Sequence, residues 1–366
     1  MANQRLDSLD ALRGLDMLFI MGLTPLILSV CALFPGGNES WIALQMHHVP
    51  WEGLRQHDTI FPIFLFIAGM TFPFSLSAKQ EKGFSRGRIW WSVIRRGLML
   101  VFLGLVYQGF FNFQFKTLRY ASVLGRIGLA WMFAAMLYLS LKRSWQGVVA
   151  LAILVGYWLL LRYVPAPDAP AGAHPFSPEG NLCGYIDRLL LPGRMYRETF
   201  DPEGLLGTLP AIVTAQLGMF TGDFVRESKF SGGKKTLYLL CAGALLIVLG
   251  FLWGKVFPIN KALWTSSFVV AVGGIAIVAF AVLYYLIDVR GWKKWAFPLQ
   301  VVGLNSITIY LAQRIIDFQR IGKFFLKGTA DLFPEAGGKV VLSLGYLVVC
   351  WLFLWLLYRK KVFLKV

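Results

Sequence analysis

Apolar residues in this chain gather into ten blocks, near 14–33, 59–78, 89–110, 120–141, 146–163, 204–222, 236–254, 263–287, 295–318 and 340–358. Each is about 20 residues long, the length at which an α-helix crosses the hydrocarbon of a bilayer. Hydrocarbon offers no partner to an unpaired backbone N–H or C=O, so helices alone can fill blocks of this kind. The pattern predicts an all-α polytopic membrane protein, a bundle of about ten transmembrane helices forming one domain over 1–366. One polar stretch, 164–203, is much longer than the other links and is broken by Pro165, Pro167, Pro170 and Pro175. Such loops commonly serve as lids or binding loops. Its later part, Gly184-Tyr185-Ile186-Asp187-Arg188-Leu189-Leu190-Leu191-Pro192-Gly193, predicts a short amphipathic helix at the membrane surface.

Composition agrees with a membrane protein. The chain is 57% hydrophobic and 15% charged, whereas a soluble domain carries about a quarter charged residues. A net charge of +17 would suit nucleic acid, but its distribution does not. The cations sit in alternate links: Arg5 and Arg13; Lys79, Lys82, Arg86 and Arg88; Lys142 and Arg143; Arg226, Lys229, Lys234 and Lys235; Arg290, Lys293 and Lys294; Arg359, Lys360, Lys361 and Lys365. By the positive-inside rule these links and both termini are cytoplasmic, and His47, His48, His57 and His174 lie on the far side. Cys31, Cys241 and Cys350 fall in or at predicted helices and Cys183 in an outer loop, with no metal spacing and no disulfide pair. The first block carries Asp10, Arg13 and Asp16 at its start and lacks a small-residue cleavage site, so it reads as a retained span.

Titratable side chains beside hydrocarbon usually mark a site, and 47–62 concentrates them. His48 can take a proton from an attacking amine or hydroxyl, or be acylated itself. The bland alternative is a loop histidine bonded to a neighbour; His47, Trp51, His57 and Asp58 nearby bring the two readings level. Asp58 opens the next helix as an ordinary capping residue, and the same carboxylate could orient the His48 imidazole. Trp51 could stack on a sugar ring or anchor the membrane interface. Arg95 and Arg96 suit snorkelling toward headgroups. Arg126 lies about two turns inside its block, deep enough to call for a cavity or an anion. Asp10 and Arg13 can pair one turn apart. Asp201-Pro202-Glu203-Gly204 reads as a helix start, and Gly303-Leu304-Asn305-Ser306 as polar groups bonding between helices.

In chain order these segments resemble the heparan-α-glucosaminide N-acetyltransferase family and its bacterial relatives, within the transmembrane acyltransferases. The resemblance rests on Ser8-Leu9-Asp10-Ala11-Leu12-Arg13-Gly14, His48-x-x-Trp51-x-Gly53 with Asp58-x-x-Phe61-Pro62, and Val123-Leu124-x-Arg126-x-Gly128. It continues through Gly184-Tyr185-Ile186-Asp187-Arg188, Asp201-Pro202-Glu203-Gly204-x-x-Gly207-Thr208, Asn260-Lys261-x-Leu263-Trp264 and Gly303-x-Asn305-Ser306-Ile307. The ordered set spans nearly the whole chain. It implies a pore-like bundle, in a bacterial inner membrane, that takes acetyl-CoA from the cytoplasm and acetylates an amino sugar on the far side. The family's catalytic histidine corresponds to His48, and its essential arginine and tryptophan to Arg126 and Trp264. The asparagine that animal members carry near the outer end of this first helix is missing from Gly22-Leu23-Thr24-Pro25. Their leading span and luminal domain have no counterpart among the matched segments.

The scheme that follows has acetyl-CoA as acyl donor, its phosphates met by Arg13, Arg95 or Arg96. Arg126, Asn260, Lys261 and Trp264 complete the donor site. His48 removes the amine proton with Asp58 supporting the imidazolium, directly or through an acetyl-histidine. Trp51, Glu203, Asn305 and the 164–203 loop meet the acceptor. Two other functions stay open: a sugar or anion transporter without chemistry, and acyl transfer to a polysaccharide hydroxyl. The lack of an internal repeat bears against the transporter. The partners expected are the bilayer and the two substrates, not nucleic acid; self-association is compatible with so much apolar surface, but no motif specifies it.

Overall fold

A computed structural model describes residues 6–364; Arg5 and Lys365, counted above among the basic links, lie outside them. The first apolar block forms α1 (Asp7–Leu18), one π-helical turn (Phe19–Leu23) and α2 (Thr24–Cys31). The break has a local cause. Pro25 has no N–H for the carbonyl one turn back, and Gly22 takes φ +143°, a value other residues rarely adopt. The chain continues through α3 (Trp41–Gln45), α4 (Gln56–Glu81), α5 (Arg86–Tyr107), α6 (Val123–Ser140) and α7 (Arg143–Tyr163). Then follow α8 (Leu182–Leu190), α9 (Thr208–Glu227), α10 (Gly232–Trp253) and α11 (Ser266–Tyr284). The last group is α12 (Phe297–Leu304), α13 (Ser306–Ile315), α14 (Phe318–Ala330) and α15 (Glu335–Arg359). Among the described residues no strand forms; the one extended pairing is an isolated bridge between Arg119 and Gly193.

Among the described residues, eight segments are long and apolar enough to cross a membrane, and α12 with α13, bent by 58° at Asn305, makes a ninth. The remaining expected block, 204–222, is α9, whose Gln216 and Asp223 are buried where α9 packs against α4, α6 and α11. The chain is a polytopic helical membrane protein. Its helices divide by environment: the apolar window is 72% buried in α4 and 67% in the α11 span, against 17% in α15 and 22% in α10. The first pair is therefore central, and the second turns its apolar surface outward, as lipid-facing helices do. The pattern of apolar blocks does not foreshadow α14, an amphipathic helix that buries Phe318, Gly322 and Ala330 while Phe324 and Phe325 stay exposed.

Close helix approach draws the central elements together. A Cβ on Gly218 of α9 would stand 2.0 Å from the Phe66 carbonyl oxygen of α4, and one on Gly303 of α12 would stand 2.0 Å from that of Asp10 in α1. Only glycine allows backbones this near. At the start of α1 the Asp7 and Ser8 N–H groups donate to the Asp288 carboxylate at 3.3 and 3.1 Å, and Lys293 pairs with Asp7 at 2.9 Å. These contacts bring the start of α1 and the 288–293 link to one end of the bundle.

Candidate active site

The second helix core, α4, opens on Gln56, which puts Asp58 in its first turn with a carboxylate facing unpaired backbone donors. The carboxylate accepts from the N–H of Arg55 at 3.2 Å and of Val49 at 3.3 Å; the N-cap is therefore Arg55, not Asp58, which stands at the third helical position and reaches back to it. It also lies 2.6 Å from His48 Nδ1, and its side chain is 1% exposed against 53% for His48. A carboxylate can only accept, so Nδ1 carries the proton and Nε2 presents its lone pair. One group thus steadies the helix start and orients the imidazole.

The segment bearing His48 is held from several sides. The Gly53 N–H donates to the Ile259 carbonyl at 2.8 Å, the Trp51 indole N–H to that of Phe176 at 2.8 Å, and Arg55 to that of His48 at 3.1 Å. The Ile259 contact brings in the turn between α10 and α11. There Asn260 accepts from the Leu263 N–H at 2.9 Å and donates its own N–H to Thr265 at 3.0 Å, while Trp264 adopts φ +52°. A bulky residue with positive φ persists only where its surroundings over-determine it. From this fixed turn Lys261 extends its ammonium to 3.3 and 3.5 Å from the His48 ring nitrogens and 3.8 Å from Asp58. Burial pulls the Lys261 ammonium below the ordinary lysine range, and the Asp58 charge opposes that shift. His57 packs beside His48 with ring centroids 4.5 Å apart.

A cavity of about 710 Å³ starts at His48, His57 and Lys261 and is bordered elsewhere by Arg13, Arg96 and Asn305. Its wall along α4 runs from Ile60 to Ser75, about 22 Å of helix at about 1.5 Å per residue. The volume falls within the usual range of ligand pockets. Arg96 lies over the Trp131 ring at 4.4 Å with its Nε buried and unpartnered. Arg13 bonds Asp10 at 3.0 Å, as the one-turn spacing predicts. Beside them, the link following α15 turns back, and its Val362 carbonyl accepts from Asn305 at 3.1 Å.

The remaining sequence candidates fall elsewhere. Arg95 is exposed and borders no part of this cavity. Asn305 stands at the arginine end, away from the histidines. Arg126 lies only one turn inside α6, since that helix begins at Val123, and it packs beside the cavity instead of lining it. Its guanidinium donates to the Gly204 carbonyl at 2.8 Å and covers the Trp264 ring at 5.2 Å, leaving Nε and Nη1 buried without partners. Trp264 is fully buried, donates to Thr214 at 3.1 Å and supports Phe61 edge-on at 4.8 Å. Trp51 packs on Phe200 of the long loop.

Glu203 belongs to a cluster that sequence reasoning missed: Arg119 grips Asp201 at 2.5 and 2.7 Å and also bonds Glu203. This pairing holds the Asp201 carboxyl below its usual range against the cost of burial. Asp187 of α8 accepts from the N–H groups of Leu205 at 2.8 Å and Asp201 at 3.4 Å, and burial pushes it up to about 6. The same helix starts with a true side-chain cap, Asn181 accepting from the Gly184 N–H at 2.6 Å, and Cys183 is buried there. Nothing in the local sequence of Arg119 announces partners more than eighty residues away. His57 could have been found, since it stands beside Asp58 in the histidine-rich stretch.

No family model matches the chain. Two curated relatives, the heparan-alpha-glucosaminide N-acetyltransferases of Homo sapiens and Mus musculus, are each 26% identical over 422 residues. The alignments cover 99% of this chain and 60% of the relatives, so the chain spans less than two thirds of their length. Over nearly its whole length, then, the chain is similar to the heparan-alpha-glucosaminide N-acetyltransferases.

Proposed function

We propose that this protein transfers an acetyl group from cytoplasmic acetyl-CoA to the amine of a glucosamine-type sugar on the opposite side of the membrane. The observation that carries this reading is one cavity bordered both by Arg13 and Arg96 and by His48, whose ring Asp58 holds from behind. Acetyl-CoA combines an anionic end with a long, weakly polar arm ending in a thioester. A passage of about 22 Å along α4 suits that shape, with its phosphates at the arginines and the thioester at His48. His48 Nε2 then accepts the proton of the attacking amine, and Asp58 stabilises the imidazolium. The names of the curated relatives support the acetyl donor and the amino-sugar acceptor.

A second reading has one specific observation in its favour. Two interrupted helices, at Phe19–Leu23 and at Asn305, approach the cavity through Ile20 and Asn305, as broken helices do around transporter sites. Detergent-purified protein incubated with radiolabelled acetyl-CoA and glucosamine separates the two. Labelled N-acetylated sugar, lost in His48→Ala while CoA binding persists, supports the enzyme. Saturable sugar binding without product supports the transporter, and undiminished turnover by His48→Ala removes the histidine from the chemistry.

A further inference from the structure

We infer that Lys261 is a catalytic residue, its ammonium holding the thioester carbonyl oxygen as it becomes an oxyanion. The inference rests on the acetyl-transfer reading above and assigns the electrophilic half of a site whose basic half is His48. Three observations lead to it. Lys261 borders the cavity beside His48, far along α4 from Arg96 and Ser75, so it is remote from the end suited to the donor's phosphates. It projects from a turn pinned by Asn260 and Thr265, and a site must be held firmly to stabilise a transition state. Its ammonium is also held only by long contacts, 3.5 Å to the Nε2 lone pair of His48 and a loose ion pair with Asp58, which an incoming oxygen can replace. The nearest carboxylate oxygen is 3.8 Å away, beyond hydrogen-bond distance, while that carboxylate is already engaged by His48 Nδ1 and two backbone N–H groups. The short approach to Nδ1 brings no acceptor, because that nitrogen bears the proton given to Asp58.

An acyl carbon attacked by an amine bonded to Nε2 has its oxygen within reach of Lys261 Nζ, which is 3.5 Å from Nε2. The step balances. The amine nitrogen bonds to the carbonyl carbon, the π pair moves onto oxygen beside Lys261, and the amine proton passes to Nε2. Collapse restores the C=O, breaks the C–S bond, and the imidazolium returns its proton to the CoA sulfur. Lys261 keeps its own proton throughout. Half-buried ammonium charge of this kind counts for more than in bulk water.

The test uses the full chain in detergent, with acetyl-CoA and glucosamine, comparing wild type, Lys261→Met, Lys261→Arg and His48→Ala for kcat, KM and the Kd of CoA. Lys261→Met should lower kcat about 10²- to 10³-fold, the loss typical of one oxyanion donor. Its Kd for CoA should stay within about threefold, which also reports that it is folded, and Lys261→Arg should regain about tenfold of the lost rate. The assignment is overturned if Lys261→Met turns over within about threefold of wild type while His48→Ala is inactive, or if its loss is matched by an equal loss of CoA affinity. Absence of transfer by the wild type itself would sink the underlying reading along with this one, and so is told apart from failure of Lys261 alone.

Discussion

Replacing Asp58 with Asn changes one oxygen to nitrogen in a group whose side chain is 1% exposed and 2.6 Å from His48 Nδ1. Size is kept and charge removed. A carboxylate about 4 Å from the centre of an imidazolium stabilises it by roughly 4 kcal/mol at an effective dielectric of about 20, and roughly 1 kcal/mol in bulk water. His48 is 53% exposed, so the value lies between these, about 2–3 kcal/mol, or about 30- to 150-fold in rate. The tautomer adds to this. The amide oxygen remains the acceptor for the Val49 and Arg55 N–H groups, which turns its NH₂ toward Nδ1. Nδ1 must then accept, the proton moves to Nε2, and the base has no free lone pair. Asp58→Asn should therefore lower kcat by at least about 10²-fold, toward about 10⁴-fold where the wrong tautomer prevails. The KM for acetyl-CoA should change by less than about twofold, because Asp58 does not line the cavity. Steady-state acetyl transfer measured against both substrates decides the matter. A kcat within about threefold of wild type would refute the claim that Asp58 orients and charges a catalytic imidazole.

Two further predictions concern the arginines and the long loop. Arg96→Gln should weaken CoA binding about tenfold or more by calorimetry, whereas exposed Arg95→Gln should leave it within about twofold; equal effects would mean that bulk positive charge, not the cavity arginine, attracts the donor. Asp187, pushed up to about 6 by burial, takes up a proton on folding between its unfolded value near 4 and its folded one, so its contribution to stability declines as pH rises through that window. Melting of wild type and Asp187→Asn should diverge accordingly, wild type gaining on the variant by roughly 2 kcal/mol as pH falls from about 6.5 to about 4; a pH-independent difference would count against a buried, late-ionising carboxyl.

Much of the architecture is legible in one dimension because a bilayer imposes a one-dimensional rule. About 20 apolar residues must stay helical, so the blocks at 59–78 or 236–254 could be read as the helices they form. The pairing of Asp10 with Arg13 was readable for the same reason, its partners lying within one helical turn, whereas the start of α4 falls three residues before Asp58, with Arg55 as its N-cap. Broken elements were less so. The block at 14–33 contains a π-turn and the block at 295–318 bends at Asn305, and neither interruption lowers hydropathy enough to show. Central α9 carries buried polar groups that a lipid-facing helix could not.

The site divides along the same line. His48 and Asp58 are ten residues apart, and their chemistry could be proposed from that proximity. Lys261, 213 residues from His48, and Arg119, more than eighty from its acids, meet their partners only because glycine-lined helix crossings and the Gly53–Ile259 hydrogen bond fold distant links together. Adjacent Arg95 and Arg96 make the point most sharply: identical in type and neighbours in sequence, they part company because successive positions on a helix face different ways. Only the packing of α5 against α6 and its surroundings determines which of the two turns toward the cavity. Local composition and helical period belong to the sequence alone; contacts between remote segments, and the side chains they select, depend on how the helices close around one another.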